Sequence, residues 1–282
     1  MSAHKEADLI RWFRERGRVA IGFSGGVDSS YLAAVAVAAL GAENTLALVG
    51  RSESLAGSEE DHAITVARDI GIPVLEVDTG ELADPRYAAN PTNRCYFCKS
   101  VLWSTLLPLA RERGFDTLID GTNADDLRDY RPGGRAALEQ GVESPLAVVG
   151  LTKGEIRDRA RDRGWLWWDR PSSPCLASRL PYGMSVTSER LRQVDRAEAA
   201  LRALGVTGNL RVRHHGDVGR VEMDRDLLPQ WSEGATLDAV LAAVRSAGFA
   251  DAELDPRGFR SGALNVLAGV DTNASGATVP RD

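Results

Sequence analysis

The 282-residue chain predicts an α/β fold, a parallel sheet covered by helices on both faces with a smaller α/β unit after it. Three observations carry this. Apolar runs at residues 19–23, 45–49, 73–77 and 117–120 have the length and continuity of strands buried on both faces. Between them lie Ala-rich or amphipathic stretches long enough for crossover helices. Gly41 and Gly71 stand where two of those helices should stop.

In order, the opening stretch up to Arg16 reads as an amphipathic helix with Leu9, Ile10, Trp12 and Phe13 on its apolar side. The first strand, 19–23, runs into Ser24-Gly25-Gly26, and an Ala-rich helix follows from 28 to 40. The pattern repeats as strand 45–49, helix 59–70 and strand 73–77, then as helix 99–113 and strand 117–120. Pro108 predicts a kink or an early end in the third helix. Thr152-x-x-Glu155 is a capping box opening a helix that reaches 163. The Trp- and Pro-rich stretch from 165 to 183 has no period, and Trp165, Trp167 and Trp168 are expected between two domains. Beyond it the sequence predicts a helix over 187–204, strands at 210–214 and 220–223, and a helix over 236–247. The expected division is a domain over 1–180, a second over 181–270 and a disordered tail over 271–282.

Hydrophobic residues at 43% and charged residues at 26% exclude a mostly disordered chain. A formal net charge of −6 disfavours an extended nucleic-acid footprint, which needs many cations against phosphates. No apolar run approaches the roughly 18 residues that suggest a membrane span, and the charged opening segment lacks a secretory signal. Three cysteines, an odd number, argue against a disulfide framework, so the expected setting is the reducing cytoplasm.

Ser24-Gly25-Gly26-Val27-Asp28-Ser29-Ser30 sits between strand and helix. Its glycines allow a sharp turn and close approach to a ligand, and the N–H groups and dipole of the helix start favour an anion. Hydroxyls of Ser24, Ser29 and Ser30 add hydrogen bonds, and Asp28 is placed to hold Mg²⁺ on a phosphate. The bland alternative is a tight strand–helix turn. The run resembles the PP-loop of the ATP pyrophosphatase superfamily and lacks the Lys-Ser/Thr ending of a Walker loop. That resemblance implies cleavage between the α and β phosphates of ATP, leaving AMP on an acceptor oxygen.

Cys95-x-x-Cys98 and Cys175 leave three readings open. They are a zinc site short of a well-spaced fourth ligand, unrelated buried small side chains, or the three thiolates of a 4Fe-4S cluster with one open iron. SGGVDSS, NPTNRCYFCK, DGTNADDLRDYRPG, LTKGEIR, RPSSPCLASRLPYG and RGFRSGALN together resemble the LarE family in content and order. That family comprises the pyridinium-3,5-biscarboxylic acid mononucleotide sulfurtransferases of nickel-pincer nucleotide synthesis. The resemblance spans nearly the whole chain. It implies conversion of two ring carboxylates of a nicotinate-derived mononucleotide into thiocarboxylates, later loaded with nickel for lactate racemase. The family has a form that sacrifices a cysteine, here Cys175, and a form with three cysteines that resembles cluster-dependent thiolases. With Cys95, Cys98 and Cys175 all present, this chain resembles the second form. The resemblance also implies a homo-oligomer and sulfide or another sulfur donor.

Other residues complete the expected site. Gly121 and the acidic pair Asp125 and Asp126 follow a strand at the ligand-binding sheet edge, and Asp126 is the candidate to share Mg²⁺ with Asp28. Lys99 and Arg179 are candidates for phosphate, with ordinary solvated cations as the alternative. Arg211 and Arg213 alternate onto one strand face, a spacing suited to a phosphate monoester but equally to a solvated face. The resemblance assigns Arg211, Arg213, Ser178 and Glu198 to the substrate, and Glu222 to a possible metal. The expected cycle adenylates a carboxylate on MgATP bound at residues 24–30, then displaces AMP with sulfide. The rival readings are a tRNA thiolase, which would need a basic surface, a glutamine-fed amide synthetase, and a binding module that releases no pyrophosphate.

Overall fold

The computed structural model describes residues 2–128 and 132–260. The expected tail, and the end of RGFRSGALN, lie outside the described residues. The first unit runs α1 (Ser2–Arg16), β1 (Val19–Gly22), α2 (Val27–Leu40), β2 (Thr45–Arg51), α3 (Gly57–Ile70), β3 (Val74–Asp78), α4 (Pro85–Ala88), α5 (Arg94–Glu112), β4 (Thr117–Ile119), α6 (Pro132–Glu139), α7 (Pro145–Val148) and α8 (Lys153–Asp162). Its four strands are all parallel in the order β3-β2-β1-β4. Period-two alternation splits the side chains between two cores. Val19, Ile21, Ala47 and Val49 pack with α1, α2 and α3. Ala20, Leu46 and Leu48 pack with Trp103, Leu106 and Ala110 of α5 and Ala137 of α6. Because β2 and β4 flank β1 on opposite sides, the end of β1 is a topological switch point, where such sheets bind ligands.

The second unit is α9 (Ser188–Ala203), β5 (Leu210–His215), β6 (Val218–Met223), α10 (Leu228–Trp231), α11 (Gly234–Ser246) and β7 (Asp251–Leu254). β5 and β6 are antiparallel and β7 joins β6 in parallel. Leu210 and Val212 share a core with Leu191, Val194, Ala197 and Leu201 of α9 and with Val240 and Val244 of α11. The sequence pattern does not announce β7: only Ala252 and Leu254 are apolar in Asp-Ala-Glu-Leu, too few to show a period.

Three expectations are corrected. α5 begins at Arg94 rather than near 99, which puts Cys95 and Cys98 on one face of its first turn. The helix also runs through Pro108 to Glu112: a proline one turn from the end removes a single bond near the fraying terminus. The tryptophans are not between the units. Trp165, Trp167 and Trp168 belong to the core of α1 and α2, with Trp165 stacked on Trp167 and set edge-on to Tyr31.

Candidate functional site

The loop after β1 is built by two close approaches. Gly25 has φ +68°, and a Cβ there would lie 2.6 Å from the Cα of Ala63 in α3. Gly121, after β4, would bring a Cβ to 3.0 Å from the backbone nitrogen of Ser29. Both positions need glycine because strand end, loop and helix start are pressed together. α2 starts at Val27 with Gly26 before it and no side-chain cap, which leaves its first N–H groups available to an anion. Ser24 Oγ lies 3.1 Å from Ser29 Oγ and accepts from the N–H of Gly26 at 3.4 Å. Val27 is in the core, so only its backbone faces the loop. Ser30 is fully buried and its hydroxyl has no hydrogen-bond partner among the described residues.

Asp28 divides its carboxylate. Oδ2 accepts from Lys153 Nζ at 2.5 Å, while Oδ1 is buried with no hydrogen-bond partner among the described residues. A buried carboxylate oxygen without a partner is costly, and a cation is the group that would relieve it. Lys153 opens α8 under the Thr152–Glu155 capping box, and its backbone N–H donates to Asp125 Oδ2 at 2.8 Å. Asp126 Oδ2 accepts from the N–H of Asn123 at 3.1 Å. Lys153 therefore joins Asp125, through its backbone, to Asp28, through its side chain. Among the described residues no three or more His, Cys, Asp or Glu side chains gather on one point as they would around a single metal ion.

A cavity of about 180 Å³ at the strand ends joins the loop to the cysteines. Ser24, Glu81, Cys98, Lys99, Trp103 and Cys175 are among the residues lining it. None of the three cysteines is in a disulfide, and Cys95, next to this group, is exposed. Burial pushes the Cys98 thiol up to about 12, with Lys99 opposing. Cys95 is open to solvent as a residue, but the protein packed around its sulfur, and then the field of Cys175, push its thiol up. Cys98 and Cys175 share the wall of this cavity, and Cys95 precedes Cys98 by three residues on the same face of α5. The donor set at this end of the cavity is three thiols from two segments, the kind of ligand that iron–sulfur clusters take.

Arg211 and Arg213 share a face of β5, as their spacing predicts, but that face is buried, at 7% exposure each, and is not a solvated surface. Arg213 pairs with Glu222 at 2.9 Å and donates to the carbonyl of Ser178 at 3.0 Å. Arg179, 2% exposed, grips Glu198 with two bonds of 2.8 Å and also donates to the Cys175 carbonyl at 3.0 Å and Ser178 Oγ at 3.1 Å. Glu198 in turn accepts from the N–H of Val212 at 2.9 Å. Arg211 has no carboxylate within 4 Å among the described residues; its guanidinium lies over the ring of Phe259. Burial, then the neighbouring Arg179, lowers its pKa to about 10. An anion placed there would relieve both effects.

Sequence reasoning missed several residues that the fold brings to this place. Lys153 stood in a quoted motif, but nothing in its spacing pointed at Asp28. Glu81, 3% exposed and held by Thr79 Oγ1 at 2.8 Å, sits in a loop without period. Tyr87 hydrogen-bonds to Ser54 beneath the cysteines, and Asn90 and Arg94 are buried beside them.

The NAD synthase family profile matches residues 13–90, which hold the loop and the first three strands. The uncharacterized protein slr1717 of Synechocystis sp. is 44% identical over 94% of this chain and 98% of its own length. The pyridinium-3,5-bisthiocarboxylic acid mononucleotide synthase of Lactiplantibacillus plantarum is 35% identical over 93% of this chain and 94% of its own length. An NH(3)-dependent NAD(+) synthetase of Chlorobaculum tepidum is 36% identical over 30% of this chain and 33% of its own length.

Proposed function

The chain belongs to the pyridinium-3,5-bisthiocarboxylic acid mononucleotide synthase family, and from that premise we propose that it is an ATP-dependent sulfurtransferase acting on the ring carboxylates of pyridinium-3,5-biscarboxylic acid mononucleotide. The observation that carries this reading is the shared cavity: Ser24 of the anion-binding loop and the thiols of Cys98 and Cys175 line one space. An activating group and a sulfur-bearing group must meet on one substrate carbon, and here they open onto the same volume.

Residues 24–30 hold the phosphates of ATP, with the α2 N-terminus supplying N–H groups and Ser24 and Ser29 supplying hydroxyls. Asp28 Oδ1 is the oxygen that would take Mg²⁺, and Asp126 its candidate companion. A substrate carboxylate oxygen attacks the α-phosphorus, pyrophosphate leaves, and the carboxylate becomes an acyl adenylate. Sulfide then attacks the carbonyl carbon and AMP departs as a good leaving group; a second round treats the other carboxylate. Arg211, with Arg213 behind it, receives the mononucleotide phosphate, and Arg179, Glu198 and Ser178 hold that face in place. A 4Fe-4S cluster held by Cys95, Cys98 and Cys175 would supply sulfide at its open iron. In this reading residues 1–180 activate and 181–270 hold the substrate of a cytoplasmic homo-oligomer. Its product is destined for the nickel-pincer cofactor of lactate racemase.

The test is anaerobic incubation with ATP, sulfide and the biscarboxylated mononucleotide, followed by mass spectrometry of product and polypeptide. Oxygen-to-sulfur exchange in the product with the protein mass unchanged is the expected result. Loss of the elements of H₂S from the polypeptide would instead mean that Cys175 had been consumed, and no sulfur in the product would overturn the assignment.

A further inference from the structure

Cys175 lies 77 residues beyond Cys98 in the chain, so something must hold its segment beside α5. Asn90 does much of this. It is fully buried and, among the described residues, the one non-glycine residue with positive φ, at 54°. Its Nδ2 donates to the carbonyls of Pro181 and Met184, both at 2.8 Å, and its own carbonyl accepts from the N–H of Gly183 at 2.9 Å. Its Oδ1 accepts from Arg94 Nη1 at 2.5 Å, and the same nitrogen donates to the carbonyl of Ala177 at 3.0 Å. The N–H of Leu176 adds a bond to the carbonyl of Ser54 at 2.8 Å. Both residues on either side of the Asn90–Arg94 contact thus reach the loop that carries Cys175.

Arg94 brings charge as well as reach. It is 4% exposed and has no carboxylate within 4 Å among the described residues; the Tyr182 ring lies 5.7 Å away. A guanidinium kept from water with no carboxylate beside it among the described residues is strongly unfavourable, and an anion held at the neighbouring sulfur centre would relieve it.

We propose that Asn90 and Arg94 are positioning residues that assemble the sulfur centre, Asn90 by fixing the Cys175 loop against α5 and Arg94 by adding a buried positive charge that favours an anionic occupant. The inference rests on the reading that the three thiols act together, though not on sulfur transfer itself.

Two measurements on the reduced full-length protein test it. Dibromobimane, which bridges neighbouring thiols, should yield a Cys175-containing cross-link to Cys95 or Cys98 in the unaltered protein. That product should fall about tenfold in Asn90→Gly, which accepts the φ of 54° without strain, and in Arg94→Met, while the Cys95–Cys98 product persists. Second, alkylation of Cys175 by anionic iodoacetate relative to neutral iodoacetamide should fall about tenfold in Arg94→Met and stay near the unaltered value in Arg94→Lys. Should Arg94→Met fail to fold by circular dichroism, Arg94→Gln replaces it. Equal cross-linking in Asn90→Gly, or an unchanged reagent ratio without the cation, overturns the proposal while leaving the sulfurtransferase reading intact. Absence of any Cys175 cross-link in the unaltered protein overturns the joint action of the thiols as well.

Discussion

Asp28 offers the sharpest residue-scale test, because its two oxygens do different things: one carries Lys153 and the other is buried with nothing to bond. Asp28→Asn keeps the shape and removes the charge, so the fold should survive while carboxylate-dependent pyrophosphate release falls about a hundredfold. An unchanged Mg²⁺ dependence of that release would clear Asp28 of the role. Gly25→Ala acts on the loop from the other side. Its φ of +68° costs a non-glycine residue about 1–2 kcal/mol, and the Ala63 backbone at 2.6 Å leaves no room to relax. ATP affinity by calorimetry should drop at least tenfold, and a variant binding ATP normally would show that the loop's approach to α3 does not shape the anion site.

At the scale of elements, legibility followed range. Helices and strands with many apolar positions were readable because their period repeats, and the capping box of α8 was readable because its chemistry is local. Thr152→Ala should therefore cost about 1 kcal/mol, seen as a lower melting temperature, and should also loosen Lys153 from Asp28. The short β7 was hidden because two apolar residues show no period, and the start of α5 because Asn93 gives no side-chain cap. The candidate site was legible where one segment carries it, as in residues 24–30. It was illegible where segments meet. Nothing in the spacing of Arg179 shows that Glu198 already neutralises it, and nothing near Arg211 shows that it lacks such a partner. Nor does sequence spacing carry the bonds from Asn90 and Arg94 to the Cys175 loop, because they depend on backbone carbonyls whose direction is set only after folding.

At the scale of the whole molecule, the second unit carries a marked sensitivity to acid. His214 is 3% exposed in the core of the second unit, edge-on to Phe249, with Nε2 at 3.1 Å from Gln193 Oε1 and Nδ1 unpartnered. Burial, then the charge of Arg190, lowers its pKa to about 4. Above pH of about 6.5 the ring is neutral whether the chain is folded or not, so it exerts no pull. As the pH falls below that, the unfolded chain takes up a proton that the folded one refuses. Stability then drains until about pH 4, by an amount on the order of 3 kcal/mol. His215, its pKa lowered by burial and then by Arg220, works in the same direction. Asp255 follows at lower pH: Arg257 holds its carboxyl at about 2, so its contribution is present above the ordinary carboxylate pKa and disappears as the pH drops from there toward 2. All three groups belong to the second unit. Its melting transition should therefore fall by roughly 10–20 °C between pH 7 and pH 4.5. His214→Gln, neutral throughout, should start lower at pH 7 yet lose markedly less over the same interval. Calorimetric scans at several pH values decide the matter, since a slope unaltered by His214→Gln would place the acid sensitivity elsewhere.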